Sequence, residues 1–121
     1  MHNRYMMTKF IVIIVLIALP SFAVAKDPDC TGTERWPTSI AFVHLKNAGM
    51  TDNYKLDFTK TKTTRLASEK IGDDLYRQIH HIIFIEKSGN TIEVITVNDT
   101  SHDECSMSDV DVYVISKHLK K

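Results

Sequence analysis

The 121-residue chain has little of what many catalytic and cofactor sites are built from. Its four glycines form no Gly-rich loop, so a phosphate cradle of that type is excluded. Its serines include no G-x-S-x-G elbow, which removes the hydrolase nucleophile that depends on that strained turn. After the apolar run near the start no second one follows, and the chain shows no internal repeat, low-complexity tract or interior linker. Cysteine occurs only twice and tryptophan once.

What is present at the start reads as an export signal. Arg4 and Lys9 give a basic opening, Phe10 to Leu19 an apolar core, Pro20 a break, and Ala23-Val24-Ala25 a small-x-small cleavage site. About ten apolar residues fall short of the roughly 20 needed to span a bilayer, so stable membrane insertion after signal removal is not expected. Cys30 lies five positions past the expected cut rather than directly after it, unlike the lipid-bearing cysteine of bacterial lipoproteins. The reading is therefore a signal peptide over residues 1–25 and one secreted or periplasmic domain over residues 26–121, a length suited to a single core.

The leader takes two of the 15 bases and none of the 15 acids, leaving 13 bases against 15 acids in the domain. That slight negative balance argues against a general nucleic-acid binder, whose footprint is strongly basic. With exactly two thiols and an oxidising destination, Cys30 and Cys105 are expected to pair. Closing a segment of about 76 residues is worth up to about 4.5 kcal/mol by the chain-entropy model.

Along the domain, Pro37 suits the first turn of a helix and Gly49 the position just past its end, which predicts a helix over Pro37 to Ala48. Ile40, Ala41, Leu45 and Ala48 form its stripe, widened by Phe42 and Val43. Trp36, just ahead of it, is expected to pack over the helix start. From Tyr54 the pattern turns to β: Tyr54, Leu56 and Phe58 alternate with polar residues, and residues 59–72 continue as one bent strand or two. Gly72-Asp73-Asp74 reads as a turn, with the paired carboxylates as turn formers. Residues 75–87 and 91–99 flank Ser88-Gly89-Asn90 as a hairpin, and residues 110–117 supply the last strand. The expected fold class is α+β, one N-terminal helix packed on a curved antiparallel sheet of about four strands. The layout is similar in general shape to cystatin-like secreted domains, a likeness of architecture from which no activity follows.

The segment NDTSHDECSMSDVD, residues 98–111, carries five acids, a histidine and Cys105, and no lysine or arginine. It lacks the glycine and terminal glutamate of an EF-hand loop. Acids around Cys105 raise a thiol pKa, which disfavours a nucleophilic role. His102 with Asp103 or Glu104 offers donors for a divalent metal, but His80 and His81 are adjacent on a strand and point to opposite faces, and His44 and His118 lie elsewhere. The favoured reading is an acidic loop pinned by the bridge, with Asp99, Asp103, Glu104 and Asp109 meeting a protein partner, for which a basic surface is the electrostatic complement. No catalytic residue and no cofactor is implied, and the oligomeric state is left open. The function expected is a small exported, non-catalytic binding protein, of the kind that inhibits a hydrolase or neutralises a toxin. The alternatives are a small-ligand carrier or enzyme using Tyr76, Arg77 and His80 on the concave sheet face, and a divalent-metal binder using His102, Asp103 and Glu104. Asn98-Asp99-Thr100 also matches a glycosylation acceptor.

Overall fold

The computed structural model describes residues 26–117 and residue 119; the expected export signal over residues 1–25 and His118 lie outside the described residues. The chain runs as a strap over residues 26–35, one helix α1 (Trp36–Asn47), a short 3-10 turn (Phe58–Lys60), and four strands, β1 (Lys62–Gly72), β2 (Leu75–Ile85), β3 (Thr91–Thr100) and β4 (Asp111–Ile115). The strands pair antiparallel in sequence order, β1-β2-β3-β4, giving the α+β architecture with the helix laid on one face of an open sheet.

Pro37 stands in the first turn of α1, where its missing N–H costs nothing. The C-terminus is closed by a Schellman pair: Met50 N–H donates to the Leu45 carbonyl and Gly49 N–H to that of Lys46. Gly49 holds φ at 71°, a left-handed conformation in which a side chain would be strained even though the space is open. The buried stripe is Pro37, Thr38, Ala41 and Leu45, which keeps Ala41 and Leu45 of the stripe expected from the sequence and has Pro37 and Thr38 where Ile40 and Ala48 were expected. Val43 is exposed, and Ala48 falls at the cap, past the last turn that touches the sheet. Trp36 sits at the helix start, and its indole N–H donates to the Ser108 carbonyl.

Residues 54–58 do not form the alternating strand their pattern suggests. Leu56 alone is buried and makes a single bridge to Glu86, after which the Asp57 carboxylate accepts from the Thr59 N–H and hydroxyl and winds the chain into the 3-10 turn. A short polar side chain competing for local backbone groups overrides the alternation. Residues 59–72, open between one strand and two, yield one strand, β1, with irregularities at Arg65/Ala67 and Lys70/Gly72. In the β1–β2 turn Asp74 takes φ 44°, a region aspartate tolerates better than most residues. Gly89, with φ 95°, turns β2 into β3, and Glu86 N–H donates to the Asn90 carbonyl across the hairpin.

Alternation along β2 and β3 creates two unlike faces. The inner face is apolar at one end, where Ile82, Phe84 and Val94 pack with Ala41, Leu45 and Leu56 into the core. At its other end it is polar and still buried: Gln78 and His80 of β2 lie across from Asn98 and Thr96 of β3. The strap reaches this polar end, with the Pro28 carbonyl accepting from Gln78 Nε2 and Arg65 and with Cys30 against Thr100. The outer face carries Ile79, His81 and Ile83 of β2, Glu93, Ile95 and Val97 of β3, and Tyr113 and Ile115 of β4 in matching register.

Candidate functional site

Residues 101–110 connect β3 to β4 at the end of the sheet where β1 turns into β2. Their sequence supplies serines and acids where an ordinary long loop would carry glycine, and the serines fold it. The Ser101 hydroxyl accepts from the Asp103 and Glu104 N–H groups while Ser101 N–H donates to the Glu104 carbonyl. Side chains from β3 fasten the same backbone: Thr100 donates to the Glu104 carbonyl and Asn98 Nδ2 to that of Cys105. Further on, Met107 N–H donates to the Asp99 carbonyl, and Asp99 N–H to the Ser108 hydroxyl. Cys30 and Cys105 are joined, with Cα atoms 5.8 Å apart, so the loop is also bonded covalently to the strap. Inward carbonyls are thereby consumed, and the side chains of Asp103, Glu104, Met107 and Asp109 are left exposed.

His102 adds a clamp that no sequence pattern announced. Its Nδ1 lies 2.5 Å from Asp74 Oδ1 and its Nε2 2.7 Å from the Lys26 carbonyl, and its backbone N–H also donates to Asp74. Both ring partners accept only, so both nitrogens are best satisfied as donors, which is the imidazolium. The Lys26 carbonyl and then the Asp74 carboxylate raise its pKa above the ordinary histidine value, and the same contact lowers that of Asp74. Tyr76 meets the ring edge-on at 5.3 Å between centroids.

The four acids expected to meet a partner do not all stand alike. Asp103, Glu104 and Asp109 belong to the loop, whereas Asp99 is a β3 residue whose carboxylate takes a two-point contact from Arg77, at 2.9 and 3.3 Å, on the outer face. For the ligand-carrier alternative, alternation separates the three residues named. Tyr76 and His80 are buried on the inner face and Arg77 points to the other. A cleft of about 250 Å³ between α1 and the 3-10 turn, lined by Phe42, Phe58 and Phe84 among others, includes none of them. For the metal alternative, both His102 nitrogens are engaged, and among the described residues no group of three His, Cys, Asp or Glu side chains is placed to hold an ion. His80 and His81 do face opposite ways, the first buried and the second 3.2 Å from Glu93. The Asn98 amide of the glycosylation motif is buried and bonded to the Cys105 carbonyl, so the folded protein offers no acceptor there.

Two features went unread in the sequence. Gln78, His80, Thr96 and Asn98 are polar and share the inner face of β2 and β3, yet each is buried. No side chain or backbone group among the described residues partners either His80 ring nitrogen. Burial, with Arg65 adding in the same direction and Asp29 opposing, drives the His80 pKa down to about 4. The second feature is the apolar outer face, signalled by the unbroken run Ile82-Ile83-Phe84-Ile85. No protein-family model matches the chain, and no curated protein or solved structure matches it either, so the architectural likeness to cystatin-like domains gains nothing from comparison. Among the described residues no helix is long and apolar enough to cross a membrane.

Proposed function

We propose that the protein is an exported binding protein that docks on a basic surface of a protein partner through residues 101–110, as an inhibitor of a hydrolase or an immunity-type antagonist of a toxin would. One observation carries the reading: the loop backbone is bonded inward at Glu104, Cys105 and Ser108 while Asp103, Glu104 and Asp109 point to solvent around the exposed Met107. A loop ordered before contact loses less entropy on binding, and its charges steer encounter. Met107, 44% exposed, supplies an apolar anchor within the acidic rim. The bridge accords with an oxidising destination.

The test is capture of a partner from the compartment to which the protein is exported, using the oxidised protein as bait. Asp103→Lys with Glu104→Lys should slow association at least tenfold at low salt and flatten its salt dependence, with little change in thermal stability because both side chains are exposed. Capture of the same partner, at the same rate and with the same salt dependence, by the charge-reversed bait would refute the assignment of the loop. Repeated recovery of no stoichiometric partner would count against the binding role itself.

A further inference from the structure

The sheet has two free edges, and a free edge offers unpaired N–H and C=O groups to any chain that can lie along it. They are not alike. β1 breaks register twice, carries Lys62, Arg65, Glu69 and Lys70, and has the helix start and the strap fastened to it through Thr38 to Thr63 and Arg65 to Pro28, all of which blunt an edge. β4 pairs with β3 without a shift and carries one charge, Asp111. Alternate residues of a strand aim their backbone groups to opposite sides, so about half of those in β4 face away from β3. Among the described residues no strand takes them up. Beside this edge the inner side is open as well. Val112 and Val114 stand in register with Thr96 and Val94 and so face inward, yet Val114 stays 41% exposed. With Leu45 and Ala48 at the end of α1 and the exposed Met50, they line a cleft of about 340 Å³.

From this we infer that β4 is a strand-addition site for an extended segment of a protein partner, lying antiparallel to β4 with apolar side chains at alternate positions in the cleft and a lysine or arginine at its end. Each part of that description answers a feature of the edge. Unpaired backbone groups are met by an extended chain, since a helix has no free N–H and C=O along its length to return; in known strand addition the main chain gives affinity and pockets for alternate side chains give specificity. Val112, Val114 and Met50 require apolar groups in the cleft. The charges along the strand are Asp109 and Asp111 at its start and Lys117 past its end, all exposed and in no ion pair among the described residues, with His44 on the helix side. The last residues of an antiparallel segment fall beside Asp109 and Asp111, which sets the basic end there and favours an acid at the other end, near Lys117. A second copy pairing edge to edge would bring its own α1 end, with Ala48 and Met50, to the mouth of the same cleft, so that two helix ends compete for the space above the joint. The inference stands apart from the loop reading and shares only Asp109 with it.

The probe is the acetylated, amidated heptapeptide Glu-Val-Thr-Val-Thr-Val-Lys, titrated into the oxidised, nitrogen-15-labelled protein. In the antiparallel register that sets its lysine opposite Asp111, two valines fall opposite Val112 and Val114 and its glutamate opposite Lys117. Amide shifts should be confined to residues 110–117 and 44–50, and the same peptide with alternate amides N-methylated should give none. Asp111→Lys should weaken binding about fivefold, and a peptide ending in glutamate should recover that loss. Val114→Lys should abolish binding with unchanged circular dichroism; should it unfold, Met50→Lys, at an exposed position outside the sheet, gives the same reading. Asp103→Lys with Glu104→Lys should bind the peptide as wild type does at physiological salt, so failure here is separable from failure of the loop reading. Absence of shifts along β4 up to the solubility limit of the peptide overturns the proposal, and so does equal binding of the N-methylated peptide. Shifts of the same amides that grow with protein concentration in the absence of peptide would give the edge to a second copy and overturn it too.

Discussion

Replacing Cys30 and Cys105 together by alanine is expected to cost about 4 kcal/mol of unfolding free energy, close to the chain-entropy figure for so long a closed segment. A domain of this size has roughly 5–14 kcal/mol in all, so the bridge is a large share. The cost should appear as a fall in Tm of roughly 15–30 °C, read by calorimetry on oxidised wild type and the double variant. It should not be spread evenly. Without the bridge the strap keeps its bonds from the Pro28 carbonyl to Gln78 and Arg65 and from Lys26 to His102, but Cys30 no longer anchors it beside Thr100. Amide exchange should therefore rise first in residues 26–35 and 101–110, and least in β2 and β3. A loss below about 1 kcal/mol would mean that the non-covalent fastening of strap and loop is sufficient by itself.

The second large effect is on acid stability, and it belongs to His80. Its folded pKa of about 4 lies below the ordinary histidine value of 6.5, so the unfolded chain binds the proton more readily between those values. The contribution of the neutral ring is complete above pH 6.5 and is lost as pH falls toward 4: about 2 kcal/mol by pH 5 and about 3 kcal/mol by pH 4. His102 works in the opposite sense. Its raised pKa gives stability that is whole below 6.5 and is lost as pH rises through the folded value, so it adds nothing to the acid slope. The lowered pKa values of Asp29, Asp57 and Asp74 act below 3.8, outside this window. Urea midpoints at pH 7 and pH 4.5 should thus differ strongly in wild type and little in His80→Leu, which keeps the site apolar and cannot titrate. An equal acid loss in both would assign the slope to other groups.

How much could be read in advance depended on whether the signal was local. Pro37 and Gly49 bracket α1 because a missing donor and a left-handed residue act within one turn, and Ser88-Gly89-Asn90 placed the β2–β3 hairpin for the same reason. The cysteine pair needed only counting. Tyr54 to Phe58 misled because Asp57 captures the Thr59 backbone, an effect invisible to apolar periodicity. The burial of His80 and its polar neighbours carried no local signal. A polar residue on alternate positions looks solvated whether water or the Pro28 strap lies over it, and the strap is some 50 residues away in sequence. Asp99 seemed free for a partner until the register placed Arg77 opposite it.

The sheet's sequential order, each strand bonded to the one before, also dictates a timetable. Neighbouring hairpins can zip from short separations, and such local closures are fast. The sulfur bridge instead spans 75 residues and joins a strap to a connection that takes shape only once β3 ends and β4 returns. Oxidation should accordingly be the late event, performed on a nearly finished molecule. Alkylation pulses during refolding should then trap a four-stranded dithiol, and whichever catalyst oxidises the thiols would act as a finisher of this fold.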